Sequence, residues 1–353
     1  MNALGVARPA PWLRAAAACA AALSLVACQP AFRRVPKPEP VASLAVGEVR
    51  RASDHVATSN ATWSPDGRWL AYGTDGGVVA TDLRGEERRL ADLPHATAVA
   101  WSPAGAWLAV LSGGRLWRLS ASGGRPQPVP LPGVVRAVRW SPAGDRLAAL
   151  VEERGSSLWL VSAQGNLRRR VFAAPEDSAL VDPAWYPDGL YVFVRAEDRS
   201  GRTTGQWRVR VAGPDRQAVP VPFPRILEAH LSPHGRAVAY LLEGPEEATV
   251  QVQELGHRPR PPLARAERLS GLAWSPQGDK LSYAEVHGGE RAVLWVVDAD
   301  GGRRLRVADY TLEFPDPGAG VGTEWSPDGR ALAFGASFLH RAGPVWVARL
   351  VRR

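Results

Sequence analysis

The pentapeptide Trp325-Ser326-Pro327-Asp328-Gly329 is one of seven related copies distributed along a chain of 353 residues. Successive copies start 38, 39, 45, 46, 43 and 51 residues apart. A period of about 40–50 residues is typical of propeller blades, in which each repeat forms one small antiparallel sheet. The other six copies start at Trp63, Trp101, Trp140, Trp185, Leu231 and Trp274.

Each copy of this signature predicts a tight turn between two strands. Proline presets φ at the first central position, aspartate accepts hydrogen bonds from nearby backbone, and glycine adopts positive φ. The fourth position is Asp, Ala, Ala, Asp, His, Gln and Asp in the seven copies. Carboxylate chemistry would not tolerate this variation, so we predict a structural role for Asp66, Asp188 and Asp328.

The residues after each signature predict three further strands. A short apolar run such as Trp69-Leu70-Ala71-Tyr72 comes first, then a strand with a recurring tryptophan, such as residues 294–297. An arginine-led strand such as residues 303–307 completes the repeat. Short strands joined by hairpin turns at regular spacing form antiparallel sheets. The sequence therefore predicts an all-β fold, a seven-bladed β-propeller of four-stranded antiparallel blades.

The two ends of the repeat region predict how the ring closes. The seventh copy is followed by only two strand-like runs, so the last blade lacks a fourth strand. Residues 44–50 precede the first copy and belong to no repeat. We expect them to supply that missing strand, because pairing the last blade with an N-terminal strand removes an open sheet edge.

The N-terminus reads as a targeting segment. Arg8 and Arg14 precede a short apolar run that ends in Leu25-Val26-Ala27-Cys28. This ending resembles the bacterial lipobox, whose cysteine becomes the first mature residue and carries lipid. The alternative is an ordinary secretory signal followed by a chance cysteine. We expect residues 1–27 to be a lipoprotein signal peptide.

Cysteine usage agrees with this interpretation. Cys19 lies in the segment expected to be removed, so Cys28 would be the one cysteine of the mature chain. A single cysteine excludes an internal disulfide and a thiolate metal site. Residues 28–43 hold the lipidated cysteine and a proline-rich tether, and residues 44–353 form the propeller. The expected location is extracytoplasmic, anchored to a bacterial membrane, with inner or outer membrane left open.

The net charge of +8 is carried almost entirely by arginine. Arginine runs at 88–89, 168–170 and 303–304 start the predicted fourth strands of different repeats. This distribution indicates solvated outer strands rather than a stripe that follows a phosphate backbone, so we predict no nucleic-acid partner. Anionic lipid or polymer at the cell surface stays open as a weak partner.

The repeat resembles that of the TolB-type WD40-like propeller family, whose hallmark is a WSPDG turn followed by a short apolar strand. The resemblance covers about residues 44–353, with full matches at Trp63 and Trp325 and the largest departure at Leu231 and His234. It implies an extracytoplasmic propeller that binds partners. TolB itself has an additional α/β domain ahead of its propeller, and residues 29–43 are too few to form one.

Motifs of catalysis are missing from the sequence. It contains no G-x-S-x-G elbow, no H-E-x-x-H zinc motif and no phosphate-binding P-loop. The seven histidines are scattered across the repeats. We therefore predict a non-enzymatic protein without a cofactor or metal.

Polar residues on the predicted inner strands would converge on a central channel. One interpretation is a small-ligand or metal site at the channel mouth, since histidine and carboxylates supply nitrogen and oxygen ligands. The alternative is a water-filled channel with ordinary ion pairs, such as Arg139 with Asp182. His55 and His95 are expected at inner-strand starts on the same end. The channel candidates are Asn60, Arg139, Asp182, Glu228, His230 and Glu324.

Two longer connections are the other candidate binding elements. Residues 197–206 lengthen the fourth repeat, and residues 314–322 lengthen the sixth. Extra length in a repeat protein often maps to the binding face, although drift in a tolerant loop explains it equally well.

These patterns favour a lipid-anchored, monomeric propeller that binds an envelope protein or polymer and catalyses no reaction. The alternative is a lyase- or hydrolase-like enzyme, or a small-ligand or metal-binding propeller, with its site at the channel mouth. In that case Asp182, Glu228, His230 and Glu324 would act as acid, base or ligands.

Overall fold

The computed structural model describes residues 39–213, 218–220, 226–244, 246–254, 257–258, 260–288, 291–311, 322–335 and 343–353. Four residues lie in strands whose backbone is described, but their side chains are not: Ser53, Asp182, Tyr310 and Thr311. Across these ranges the chain consists of 28 β-strands and one 3₁₀ turn, Val41–Ser43.

The strands follow one another as antiparallel meanders of four. After β1 (Leu44–Ala57), the first unit has β2 (Thr62–Trp63), β3 (Trp69–Thr74), β4 (Gly77–Asp82) and β5 (Glu87–Ala91). The second has β6 (Ala96–Trp101), β7 (Trp107–Ser112), β8 (Arg115–Ser120) and β9 (Gln127–Val129). The third has β10 (Val134–Trp140), β11 (Arg146–Glu152), β12 (Ser156–Ser162) and β13 (Arg168–Ala173).

The later units repeat this order. The fourth has β14 (Ala179–Trp185), β15 (Tyr191–Glu197), β16 (Thr203–Arg210) and β17 (Ala218–Pro220). The fifth has β18 (Ile226–Leu231), β19 (Ala237–Leu242), β20 (Ala248–Glu254) and β21 (Ala264–Ala266). The sixth has β22 (Arg268–Trp274), β23 (Lys280–His287), β24 (Arg291–Asp298) and β25 (Arg304–Thr311). The seventh has β26 (Gly322–Trp325), β27 (Ala331–Gly335) and β28 (Gly343–Arg352), and β1 completes it.

The seven units form a ring. The seventh and first units are joined in one eight-stranded sheet by the pairing of Ala57 with Thr74. The first strands of successive units contact each other in closed order, from β2 through β6, β10, β14, β18, β22 and β26 back to β2. This order places the first strands innermost. The predicted all-β propeller is confirmed, and we interpret the seven units as the predicted blades.

Strand β1 closes the ring as the sequence predicts. It pairs antiparallel with β28, with Leu44 opposite Arg352 and Val49 opposite Ala348. The last sheet therefore gains its fourth strand from the other end of the chain. The described edge of β28 is covered along its length, so it is not open to pairing with another molecule.

The residues just before β1 are also attached to the propeller. The Lys280 ammonium donates to the Glu39 carbonyl at 2.7 Å, and the Val41 N–H donates to Asp298 Oδ1 at 2.8 Å. The side chain of Glu39 forms an ion pair with Arg352. Residues 39–43 were expected in the tether, but Glu39 and Val41 are bonded to the propeller.

The signature turn is built from its own polar groups. In the first copy, Ser64 Oγ donates to Asp66 Oδ1 at 2.5 Å and accepts from the Trp69 N–H at 2.9 Å. The Gly67 N–H donates to the Ser64 carbonyl at 2.8 Å, with glycine at φ +71°. Asp66 thus bonds within its own turn, in the structural role that the sequence predicts.

Four of the signature tryptophans bond to a backbone carbonyl of the preceding blade, whereas Trp101 bonds to Gly105 in its own turn. The indole N–H of Trp140 donates to the Ala100 carbonyl at 3.0 Å, in the preceding unit. Trp185 and Trp274 make the same bond to the carbonyls of Arg139 and His230, both one residue before the preceding signature. Trp63 bonds in this way to the Glu324 carbonyl at 3.2 Å and so links the first unit to the seventh.

The hydrophobic core is divided among the interfaces between blades. The described buried residues form seven clusters, each drawn chiefly from two neighbouring units. The cluster between the seventh and first units contains Trp63, Tyr72 and Val345, each at most 4% exposed. A single blade has no core of its own, so each depends on its neighbours for burial.

Substitutions at two signature glycines can distinguish the cost of backbone strain from the cost of a crowded contact between blades. Gly189 and Gly235 have φ of +67° and +66°, but a Cβ on Gly235 would lie 3.0 Å from Pro187 Cδ, whereas one on Gly189 would meet nothing within 4 Å. We expect Gly189→Ala to lower the free energy of unfolding by about 1 kcal/mol through positive φ alone. Gly235→Ala should cost roughly 1 kcal/mol more because of the crowded contact. Equal losses in urea unfolding would contradict this packing.

A pair of deletions tests the closure. Removing residues 29–38 should leave the free energy of unfolding unchanged, because the described contacts of the N-terminal segment are made by Glu39 and the residues after it. Extending the deletion to residue 50 removes most partners of β28 and exposes its edge. We expect the longer deletion to cost several kcal/mol in urea unfolding and to promote oligomers in size-exclusion chromatography. A monomer of unchanged stability would show that β1 is dispensable.

Candidate functional site in the central channel

The channel candidates lie on the innermost strands, close to the signature turns. Arg139, His230 and Glu324 each stand one residue before the signature, in the third, fifth and seventh units. The residues at this position in three other units are Ala100, Ala184 and Ala273, which leave room around the polar groups. The repeat therefore brings residues that are far apart in sequence to one level of the ring.

Glu324 lies at the junction of the last and first units. Its Oε1 accepts hydrogen bonds from the Thr62 hydroxyl and from the Trp63 N–H, each at 3.1 Å. Its backbone carbonyl accepts the Trp63 indole. This one residue therefore makes three hydrogen bonds across the point where the ring closes.

The environment of Glu324 favours its protonated form. Burial raises the pKa of Glu324 to about 7, against the opposing hydrogen bonds from Trp63 and Thr62. The positive charge of Arg139, from the third unit, also opposes the rise. A carboxyl that titrates near neutral pH is suited to proton transfer, although burial at a structural junction produces the same shift.

Glu228 and His230 form a second polar pair, two residues apart on β18. His230 Nε2 lies 2.8 Å from Glu228 Oε1, and the side chains are 38% and 21% exposed. Both therefore contact solvent as well as each other. The pair can exchange a proton or orient an imidazole, which are the functions a channel-mouth site would need.

Of the remaining candidates, Arg139 acts on Glu324 through its charge. Arg139 is exposed and donates to the Val138 carbonyl at 3.1 Å. Asn60 is exposed and lies against Gly322, on which a Cβ would fall 2.7 Å from the Asn60 Oδ1. Asp182 belongs to β14, but its side chain lies outside the described part, as does its expected ion pair with Arg139.

His95 lies where the sequence predicts, at an inner-strand start, and His55 does not. His95 precedes β6 at the expected inner-strand start and lies 3.5 Å from Asp75. The prediction for His55 is wrong, because β1 bulges between Arg51 and Val56. The bulge brings His55 Nε2 to 2.6 Å from Glu87, on the outer strand of the first unit and away from the channel.

No group of three or more histidine, cysteine or acidic residues in the described ranges is arranged to hold a metal ion. A search of the same residues finds no helix long and apolar enough to cross a bilayer. Cys28 and the predicted signal peptide lie outside the described residues.

The expected loop at 197–206 is mostly strand. Strands β15 and β16 extend into it and leave only residues 198–202 as the turn. Asp198 Oδ1 accepts hydrogen bonds from the Ser200 and Arg202 N–H groups at 2.9 and 3.0 Å. The Ser200 hydroxyl, which also donates to it, holds the pKa of Asp198 below its ordinary value. Of the second expected loop, only Gly322 is described.

The meander gives the propeller two different faces. The turn face carries the signature turns and the connections from third to fourth strands, which bond to each other through Ala121 N–H to the Ala106 carbonyl and Ala299 N–H to the Asp279 carbonyl. The distal face carries the connections from second to third strands and from one blade to the next. The hairpin turn at 198–202 is on the distal face.

The pKa of Glu324 predicts a pH-dependent stability. Its pKa is about 7 in the folded chain against an ordinary value of 4.5, so the folded state holds this proton more tightly. The stabilisation is complete below about pH 4.5 and is lost as the pH rises through 7. The free energy of unfolding of the wild type should fall relative to Glu324→Gln by up to about 3 kcal/mol across this window. Both proteins contain the same histidines, so the histidine contribution cancels when their free energies of unfolding, measured in urea at each pH, are subtracted. A difference that does not change with pH would contradict the raised pKa.

Comparisons with known proteins agree with this architecture. The TolB beta propeller domain family matches residues 116–323 of the sequence. An oligogalacturonate lyase in complex with manganese is similar in structure, with a TM-score of 0.68 and 15% identity, covering 89% of this chain and 97% of that chain. An oligogalacturonate lyase from Vibrio parahaemolyticus gives 0.66 and 11%, covering 87% and 96%.

TolB from Acinetobacter baumannii is also similar, with a TM-score of 0.50 and 16% identity, covering 79% of this chain and 66% of that chain. At these identities the similarity shows a shared fold alone. No curated protein sequence matches the chain significantly.

Proposed function

Because the chain belongs to the TolB β-propeller family, we propose that it is a lipid-anchored, extracytoplasmic propeller that binds a protein or an envelope polymer and catalyses no reaction. The lipid would be carried by Cys28, and residues 29–38 would connect the lipid to the propeller. The rigid ring would then act as a platform held at a bacterial membrane, inner or outer.

The observation that carries this proposal is how the polar groups near the channel are used. Glu324 bonds to Thr62 and Trp63 across the closing junction, and the signature aspartates Asp66 and Asp328 bond within their turns. These groups serve the propeller's own structure. Because these polar groups are already used in bonds within the propeller, we favour binding through surface loops over a reaction in the channel.

The hairpin of the fourth unit is the best candidate for contact with a partner. Its turn is held by Asp198, so the tip has a fixed shape before any partner binds. The Arg199 side chain at the tip is 91% exposed. An exposed arginine on an ordered turn is a frequent anchor in interfaces, because the backbone that carries it is already in place.

The alternative is an enzyme or ligand-binding propeller with its site at the channel mouth. Glu324 with its raised pKa, the Glu228–His230 pair and the exposed Arg139 would supply an acid, a base and a cation. The fold shared with oligogalacturonate lyases makes an acidic sugar polymer the first substrate to test.

Affinity purification from native membranes tests the platform. We expect Arg199→Glu at the hairpin tip to reduce recovery of the partner about tenfold or more, the loss typical of a central interface residue. Arg84→Glu, an equal charge reversal at an exposed site on the turn face, is the matched control and should leave recovery unchanged. Cys28→Ala should move the protein from the membrane to the soluble fraction.

The alternative has its own signature in the same preparation. A metal or sugar that stays with the purified protein and is lost in His230→Ala would support the channel site. Cleavage of oligogalacturonate, with manganese added or withheld, that disappears in both His230→Ala and Glu324→Gln would replace the platform with an enzyme.

A further inference from the structure

The propeller is attached to its N-terminal segment on the turn face. Glu39 lines a cleft of about 260 Å³ together with Gln277, Asp328 and Arg330, which belong to the signature turns of the sixth and seventh units. Its carbonyl accepts from Lys280 and its carboxylate pairs with Arg352. The chain that leads toward Cys28 therefore leaves the propeller from the turn face.

The connecting chain is short. Eleven peptide units separate Cys28 from Glu39, and a fully extended chain spans at most about 3.6 Å per residue, or about 40 Å. A lipid on Cys28 would thus hold the attachment point within about 40 Å of the membrane. Arg33, Arg34 and Lys37 lie within this segment and would be attracted to anionic headgroups.

The distal face is strongly acidic. Its described connections contain ten acidic residues against three basic ones, Arg154, Arg199 and Arg202. An anionic membrane surface repels such a face within about a Debye length, roughly 8–10 Å at physiological ionic strength. The acidic residues are Asp75, Asp92, Glu153, Glu176, Asp177, Asp198, Glu243, Glu246, Glu247 and Glu267.

The turn face has a different charge balance. Its described connections contain eight basic residues against seven acidic ones. Three of the basic residues, Arg68, Arg236 and Arg330, directly follow the signature glycine in their units and are exposed. These arginines lie in the first, fifth and seventh units, whereas Asp145 and Asp279 hold the same position in the third and sixth, so the positive charge lies mainly on one part of the turn face.

We propose that the turn face of the anchored protein lies against the anionic lipid headgroups of the membrane that holds Cys28, and that the acidic distal face points away. The proposal rests on the lipid anchor of the proposed function and adds its orientation. The point of attachment and the charge difference between the faces favour the same orientation. It leaves the hairpin at 198–202 free for partners on the outward side.

Energy transfer to labelled lipid tests the orientation. Ser122→Cys places a dye on the turn face and Glu246→Cys places one on the distal face, both at exposed positions. Lipidated protein is reconstituted into vesicles of phosphatidylethanolamine and phosphatidylglycerol that contain a headgroup acceptor dye. We expect the higher transfer efficiency from position 122. Equal transfer, or higher transfer from position 246, overturns the proposal.

Charge variants test the chemistry of the contact independently of the lipid. Unlipidated protein with Cys28→Ala is sedimented with the same vesicles, in wild-type form and with Arg68, Arg236 and Arg330 all changed to glutamine. Each arginine near an anionic surface contributes enough affinity that we expect at least a tenfold loss of binding. The matched control changes Arg115, Arg154 and Arg202 on the distal side to glutamine. An equal loss in both triple variants overturns the proposed contact.

Mass spectrometry of the N-terminal peptide separates the two levels of failure. If Cys28 carries acyl chains but transfer does not favour the turn face, the orientation is wrong and the anchor stands. If Cys28 is not acylated, the anchor of the proposed function is wrong, and the sedimentation experiment alone decides whether the turn-face arginines bind headgroups.

Discussion

The hydrogen bond from a signature tryptophan to a carbonyl of the preceding blade is the interaction on which this ring depends. Trp140, Trp185 and Trp274 make it within the chain, and Trp63 makes it across the closing junction. Because the core lies between blades, each sheet is buried only while its neighbours are in place. At these four interfaces the directional bond fixes how far one blade can rotate against the next, which hydrophobic contact alone leaves open.

Closure of the ring depends on contacts between its last and first blades. Strand β1 completes the seventh sheet, and Glu324 bonds to Thr62 and Trp63 beside it. A carboxyl in that position is buried enough for its pKa to rise to about 7, which is also what a catalytic acid requires. The structural use of Glu324 accounts for its environment without a reaction. The Glu228 and His230 side chains lie 2.8 Å apart on one strand, and the link of this strand to the next blade is made by the His230 carbonyl, which accepts the Trp274 indole N–H.

The meander separates the molecule into two faces with different tasks. Signature turns and the attachment of Glu39 share one face, which is also the most regular surface of the ring. The distal face collects the acidic connections and the ordered hairpin held by Asp198. In the orientation that we propose, the least regular loops would point away from the membrane. Loops of that kind can vary without disturbing the interfaces between blades.

The sequence alone determined the repeat, the turn chemistry, the four-stranded blades and the closing strand. Each of these follows from local patterns: strand periodicity, proline and glycine at fixed offsets, and an unpaired strand at each end. Tertiary structure decided which groups meet. The bond of Glu324 to the first blade, the displacement of His55 by a bulge in β1, and the early attachment at Glu39 have no local signal. They depend on distances between residues up to about 260 positions apart, which become fixed only when the ring closes.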